Sequence, residues 1–291
     1  MGNLRSVAVV FAIVILIAGT KDSNCENILK FSLLSGFDTN YLELNKNSST
    51  LFSGFDFSNF FQPDNSSFSS ITNLQIKNYS KNYINFNQEF SYSFKMVSFY
   101  SGIIYLNDKN DTQNSLISGY FETDFNIKFI QFSYSIYLKK YLKDYIYGSY
   151  KSFMHHTNKW KKKFHKRENK EKDYFQDFNF KLNFENLKPA AGYTINSSNI
   201  KKEDYFSKYI EVDYSKYFTK FNFDIYSKFE NINYQKKDRE DNLFIISCYF
   251  EYYFYKNYFF GIELNYKNNN SNFDDESFKR FSAELSIGFI F

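Results

Sequence analysis

Phe278-Lys279-Arg280-Phe281-Ser282-Ala283-Glu284-Leu285-Ser286-Ile287-Gly288-Phe289-Ile290-Phe291 is the stretch that decides the fold. Phe281, Ala283, Leu285, Ile287, Phe289 and Phe291 recur at every second position, with Ser282, Glu284, Ser286, Gly288 and Ile290 between them. Successive side chains of a strand point to opposite faces, so this is a strand with one greasy face and one mostly polar face.

The same period runs back through the chain. Tyr258, Phe260, Ile262, Leu264 and Tyr266 alternate with Gly261, Glu263, Asn265 and Lys267, and Phe244 to Phe254 keep one parity. Phe221, Phe223 and Ile225, then Ile210, Val212 and Tyr214, and before them Phe178 to Phe184, do the same. Phe121 to Phe129 and Phe90 to Met96 alternate with Glu, Asp, Asn, Ser and Lys. After Met96 and after Phe129 the parity flips with no Gly, Pro or Asn present. Each flip is a very tight turn or a β-bulge, and the choice changes the strand count. Residues 26–79 carry weaker strand signals at Ile28–Phe37, Tyr41–Leu44, Leu51–Phe61 and Leu74 with Ile76.

Composition sets bounds rather than a fold. Aromatics make up 23%, with 38 Phe and 27 Tyr, a count that an AT-rich genome would produce on any fold. Such a genome cannot place them at alternate positions, so the spacing carries the argument. Two Pro and ten Gly argue against disorder. The net charge of +4 implies no nucleic-acid partner, and Cys25 and Cys248 make no disulfide framework. A mean hydropathy of −0.53 excludes a helical membrane bundle. It suits a barrel in which only one face of each strand meets lipid.

A terminal aromatic strand with this alternation resembles the closing strand of a bacterial outer-membrane β-barrel. The resemblance covers architecture rather than one named family, and the Phe-, Tyr-, Asn- and Lys-rich style resembles that of spirochaete-type diderms. It implies an all-β chain closed as one antiparallel transmembrane barrel, porin-like, in outer-membrane lipid. It also implies that the insertion machinery reads the strand ending at Phe291. Strands of ten or more residues suit a tilted membrane strand better than a soluble sandwich, the alternative reading. Twelve strands are expected, with ten and fourteen as alternatives. Short turns at 218–220 and 256–257 alternate with polar loops at 235–241 and 267–276, as short periplasmic turns alternate with external loops.

Arg5, the apolar run Val7–Ala18 and small Ala18, Gly19 and Thr20 read as a secretory signal over residues 1–24, leaving 25–291 as the barrel. An uncleaved anchor is the alternative, although the run is shorter than a spanning helix.

The compositional outlier is Lys151–Asp173, with nine Lys or Arg against three Asp or Glu, all three His and the sole Trp. Lys159, Trp160, Lys161, Lys162, Lys163, His165, Lys166 and Arg167 are its candidate ligand-binding residues, for an anionic glycan or host ligand. Folded inward, such a loop would give a pore anion preference; the bland reading is a solvated loop. The His spacing supports no metal site, and no cofactor motif is present. No nucleophile elbow, zincin motif or P-loop occurs, so an enzyme is not expected. Opposite the apolar parity lie Glu122, Asp124, Lys128, Lys181, Glu211, Asp213, Glu251, Glu263 and Glu284, expected to face the lumen. Two functions follow: a passive channel for small hydrophilic solutes, or a surface adhesin acting through external loops. Fewer than ten strands would leave no lumen and favour the second.

Overall fold

A computed structural model describes residues 25–39, 49–79, 82–108, 115–141, 172–199, 203–235, 238–255 and 257–291. Among them run fourteen strands, in chain order: β1 Cys25–Asp38, β2 Thr50–Pro63, β3 Phe68–Asn78, β4 Asn82–Phe94 and β5 Val97–Asp108. Next come β6 Leu116–Ile127, β7 Ile130–Tyr141, β8 Lys172–Leu182, β9 Leu187–Ser198 and β10 Tyr205–Tyr217. The last four are β11 Phe221–Tyr234, β12 Glu240–Tyr255, β13 Tyr258–Ser271 and β14 Phe278–Ile290, with one 3-10 turn at Asp274–Glu276. Each strand pairs antiparallel with its chain neighbour, and β14 pairs with β1 to close the barrel. The seam runs from Lys30 opposite Ile290 to Asp38 opposite Ser282. Phe291 extends it, exchanging backbone hydrogen bonds with Leu29 at 2.8 and 3.1 Å. Closure leaves no unpaired edge, the condition a sheet must meet in hydrocarbon.

The burial pattern inverts that of a soluble sandwich. Leu285 and Ile287 are 50% and 52% exposed, whereas Glu284, next to Leu285 on the opposite face, is only 9% exposed. The alternating aromatics face outward and form a collar at one end. Phe129 stacks on Phe184, Phe218 on Phe221, and Tyr258 lies edge-on to Phe289. Such a collar has the form of the aromatic girdle found on membrane barrels. Connections at the collar end are short: 64–67, 95–96, 128–129, 183–186, 218–220 and 256–257. Those at the other end, such as 39–49, 109–115 and 142–171, are mostly longer.

The expected twelve strands are corrected to the alternative of fourteen. Both parity flips are two-residue hairpin turns, Lys95-Met96 and Lys128-Phe129, with Lys95 and Lys128 each at φ 53°. Residues 25–78 supply three long strands rather than fragments. The loops expected at 235–241 and 267–276 shrink to 235–239 and 272–277, because Lys267–Ser271 stays paired with β12. The turn expected at Asn186–Pro189 is similarly short, and Pro189 lies in β9. The signal segment 1–24 lies outside the described residues.

Candidate functional site

The inward face is identified by side chains that bridge strands which do not pair. Lys30 on β1 donates to Glu251 on β12, passing β14 and β13. Lys77 on β3 reaches Glu284 on β14 at 2.6 Å, passing β1 and β2. Three strand spacings are about 14 Å along the wall, a gap that side chains close only on its concave side. Tyr209 on β10 donates to Asp177 on β8 at 2.8 Å, and Tyr120 on β6 donates to Glu89 on β4. Each tyrosine crosses the intervening strand at a glycine. A Cβ on Gly192 would lie 2.1 Å from the Tyr209 ring, and one on Gly102 would lie 2.6 Å from the Tyr120 ring. These two glycines are therefore the clearance through which the luminal hydrogen bonds pass.

Following that parity around the barrel sorts the charges. On β4 to β8, Glu89, Glu122, Asp124, Asp173 and Asp177 face inward with Lys139 and Lys181. On β9 to β11, Glu211, Asp213, Asp224 and Glu230 do so with Lys188 and Lys228. On β12 to β14 and β1 to β3, Asp38, Asp56, Asp241, Glu251, Glu263 and Glu284 face Lys30, Lys77, Lys267 and Arg280. Fifteen carboxylates thus stand against eight basic groups. The whole chain carries a formal +4, while the described inner wall carries a formal excess of seven acidic groups.

Balance differs by sector. Glu251, 2% exposed, accepts from Lys30, Tyr249 and, at 2.5 Å, Tyr253. The Lys30 ammonium also sits 4.3 Å from the Phe259 ring centroid. Across the seam, Arg280 donates to both oxygens of Asp38, at 3.2 Å and 2.6–3.0 Å. At the long-loop rim, Arg239 holds Asp241 and reaches Glu276 at 3.2 Å. Lys181 on β8 lies 3.6 Å from Asp213 on β10, and Lys228 lies 2.9 Å from Glu230, both on β11. The sector around Glu122 has no such pairing. Glu122 is within Coulombic range of Asp124, Glu89 and Asp177, and no Lys or Arg among the described residues ion-pairs with any of the four. Neutral donors serve three of them: Gln131 for Asp124 at 2.6 Å, Thr194 for Asp177 at 2.5 Å, and Tyr120 for Glu89.

Of the residues expected to face the lumen, Glu122, Asp124, Lys181, Glu211, Asp213, Glu251, Glu263 and Glu284 sit at the inward parity. Lys128 does not. It is an exposed residue of the β6–β7 turn, because the parity flip there is the tight turn rather than the bulge. The basic segment from Lys159 to Arg167 lies outside the described residues, and Lys172 and Asp173 at its edge belong to β8. Sequence reading missed Lys30, Lys77 and Arg280, whose partners are fixed only by closure. Their inward parity was the available signal.

No protein-family model matches the chain, and no curated protein matches it. Solved structures do. A loop L8 deletion mutant of OmpT, an outer membrane protein of Vibrio cholerae, superposes with a TM-score of 0.51 at 8% identity, over 92% of this chain and 100% of that one. The trimer form of in-vitro folded OmpT from Vibrio cholerae gives the same values. A bacterial polysaccharide outer membrane secretin gives 0.54 at 6% identity, over 91% of this chain and 98% of that one. At such identities the likeness is one of fold. This chain is a closed antiparallel β-barrel of the bacterial outer-membrane type.

Proposed function

We propose that the barrel resides in an outer membrane, collar end toward the periplasm, and acts as a passive channel for small hydrophilic solutes. The observation that carries this reading is the fourteen-stranded closure with charged and amide side chains along its inner parity. Strands about 4.8 Å apart and tilted by about 40° give a backbone radius of about 14 Å for fourteen strands and about 8 Å for eight. Inner side chains of about 6–7 Å fill the smaller barrel and leave a core about 7 Å in radius in the larger. The polar wall supports water as its content.

Planar-bilayer recording of the refolded protein tests this. Steady unitary currents are expected. A correctly folded barrel that stays silent would remove the channel reading and favour the adhesin.

A further inference from the structure

We infer that the lumen selects cations over anions and that the β4–β8 wall around Glu122 is where hydrated cations are drawn. This rests on the channel reading and goes beyond it by naming the charge class of the solute.

Two independent observations carry the inference. The first is electrostatic: four carboxylates on one concave wall share no cation, while the lysines and arginine opposite are held by carboxylates of their own. An enclosed surface bounded by a low-dielectric wall focuses such a field, and one kT of wall potential enriches monovalent cations over anions about seven-fold. The second is a deficit of donors on the same sector. Asp124 is 5% exposed, and its Oδ1 has no hydrogen-bond partner. Asn87 Oδ1 on β4 and Asn179 Oδ1 on β8, both at the inward parity, are also buried without a partner. Buried oxygens of this kind call for a donor or a cation, and Glu122, within hydrogen-bond reach of Asp124, makes a carboxyl pair that needs a shared proton or a cation between its members. No group of three His, Cys, Asp or Glu among the described residues is arranged to hold a metal ion. The wall therefore fits a hydrated cation in transit rather than a bound one.

The test is the reversal potential of the full-length channel under a potassium chloride gradient. A permeability ratio for potassium over chloride of about three or more is expected near 0.1 M, where the Debye length is about 10 Å. It should fall toward unity near 1 M, where that length is about 3 Å. Glu122→Gln should lower the ratio by about half, and Glu122→Lys, which places an ammonium among Asp124, Glu89 and Asp177, should lower it further. Folding of each variant is checked by its heat-modifiable gel shift. A wild-type channel with a ratio of one, or one that favours chloride, overturns the selectivity and leaves the channel reading standing. A ratio unmoved by both substitutions overturns the assignment to this wall. A folded barrel without conductance overturns both.

Discussion

The seam sector, from β12 through β14 and β1 to β3, and the wall of β4 to β8 share one architecture and treat charge in opposite ways. At the seam, Lys30, Lys77 and Arg280 each hold a carboxylate from a strand brought near by closure. On the wall, Glu122 faces three further carboxylates and no cation. Ion pairing at the seam ties the first strands to the last. Like charges on the wall add nothing to stability and cost a little. A feature that costs stability and is not compensated locally is where function is to be sought. The chain's net charge of +4 conceals this division, since the basic excess lies off the described inner face.

The sharpest way to break the comparison is at Glu251. Replacing it with Ala leaves the Lys30 ammonium, the Tyr249 and Tyr253 hydroxyls and the Asn222 amide without their shared acceptor. Removing one partner of a buried pair typically costs about 3–5 kcal/mol, because the other charge stays behind; the Lys30 side chain is 33% exposed, so water offsets part of this and about 2–3 kcal/mol is expected. Urea unfolding in lipid vesicles, followed by far-UV circular dichroism, should show a loss of that order for Glu251→Ala. A loss below about 1 kcal/mol would mean that the seam pair is solvated like a surface bridge, and the contrast between sectors would disappear.

A smaller effect is expected at Gly192, where the two sectors' shared device, a side chain crossing a strand, can be probed by size. Valine there would meet the Tyr209 ring, since even its Cβ falls 2.1 Å from that ring. Tyr209 would have to leave Asp177, and the expected loss is about 2 kcal/mol, in the range for overpacking. Tyr209→Ala in the same chain should recover part of that loss, a non-additivity expected only of residues in contact. Simple additivity would show that the tyrosine does not lie over the glycine.

Side-chain parity was legible because, in the membrane location proposed above, the outer belt meets hydrocarbon, and that requirement writes an alternation into Phe244–Phe254 or Phe281–Phe289 that no turn signal interrupts. The turns at Lys95-Met96 and Lys128-Phe129 were legible only as a choice between a tight turn and a bulge. A lysine at φ 53° is disfavoured intrinsically by about 1 kcal/mol, and the flanking ladders impose it where Asn or Gly is usual. The ends of β13 were misread for another reason. Asn268, Asn269 and Asn270 lie past the apolar belt, so the hydrophobic period stops there while the hydrogen-bonded ladder continues. In the candidate site, the inward carboxylates could be named from parity. Their partners could not, since Lys30 and Glu251 are 221 residues apart and meet only after the first and last strands pair. The basic run before β8, with nine Lys or Arg against three Asp or Glu, masks the acidic wall in the chain's total charge.

Glu122→Gln gives the smallest stability effect and the cleanest contrast with Glu251. No Lys or Arg among the described residues ion-pairs with the Glu122 carboxyl, which lies within hydrogen-bond reach of Asp124 and near Glu89 and Asp177. Glutamine keeps the shape, removes one of four like charges and adds two N–H donors to a sector with unpaired oxygens such as Asp124 Oδ1. Relief of like-charge repulsion on a sheet is worth about 0.2–1 kcal/mol, so unfolding should shift by that amount toward greater stability, or not at all. The same substitution that leaves the fold at least as stable is the one expected to weaken cation preference. A destabilisation above about 1 kcal/mol would instead show that Glu122 has a structural partner, and the acidic wall would then be a second seam.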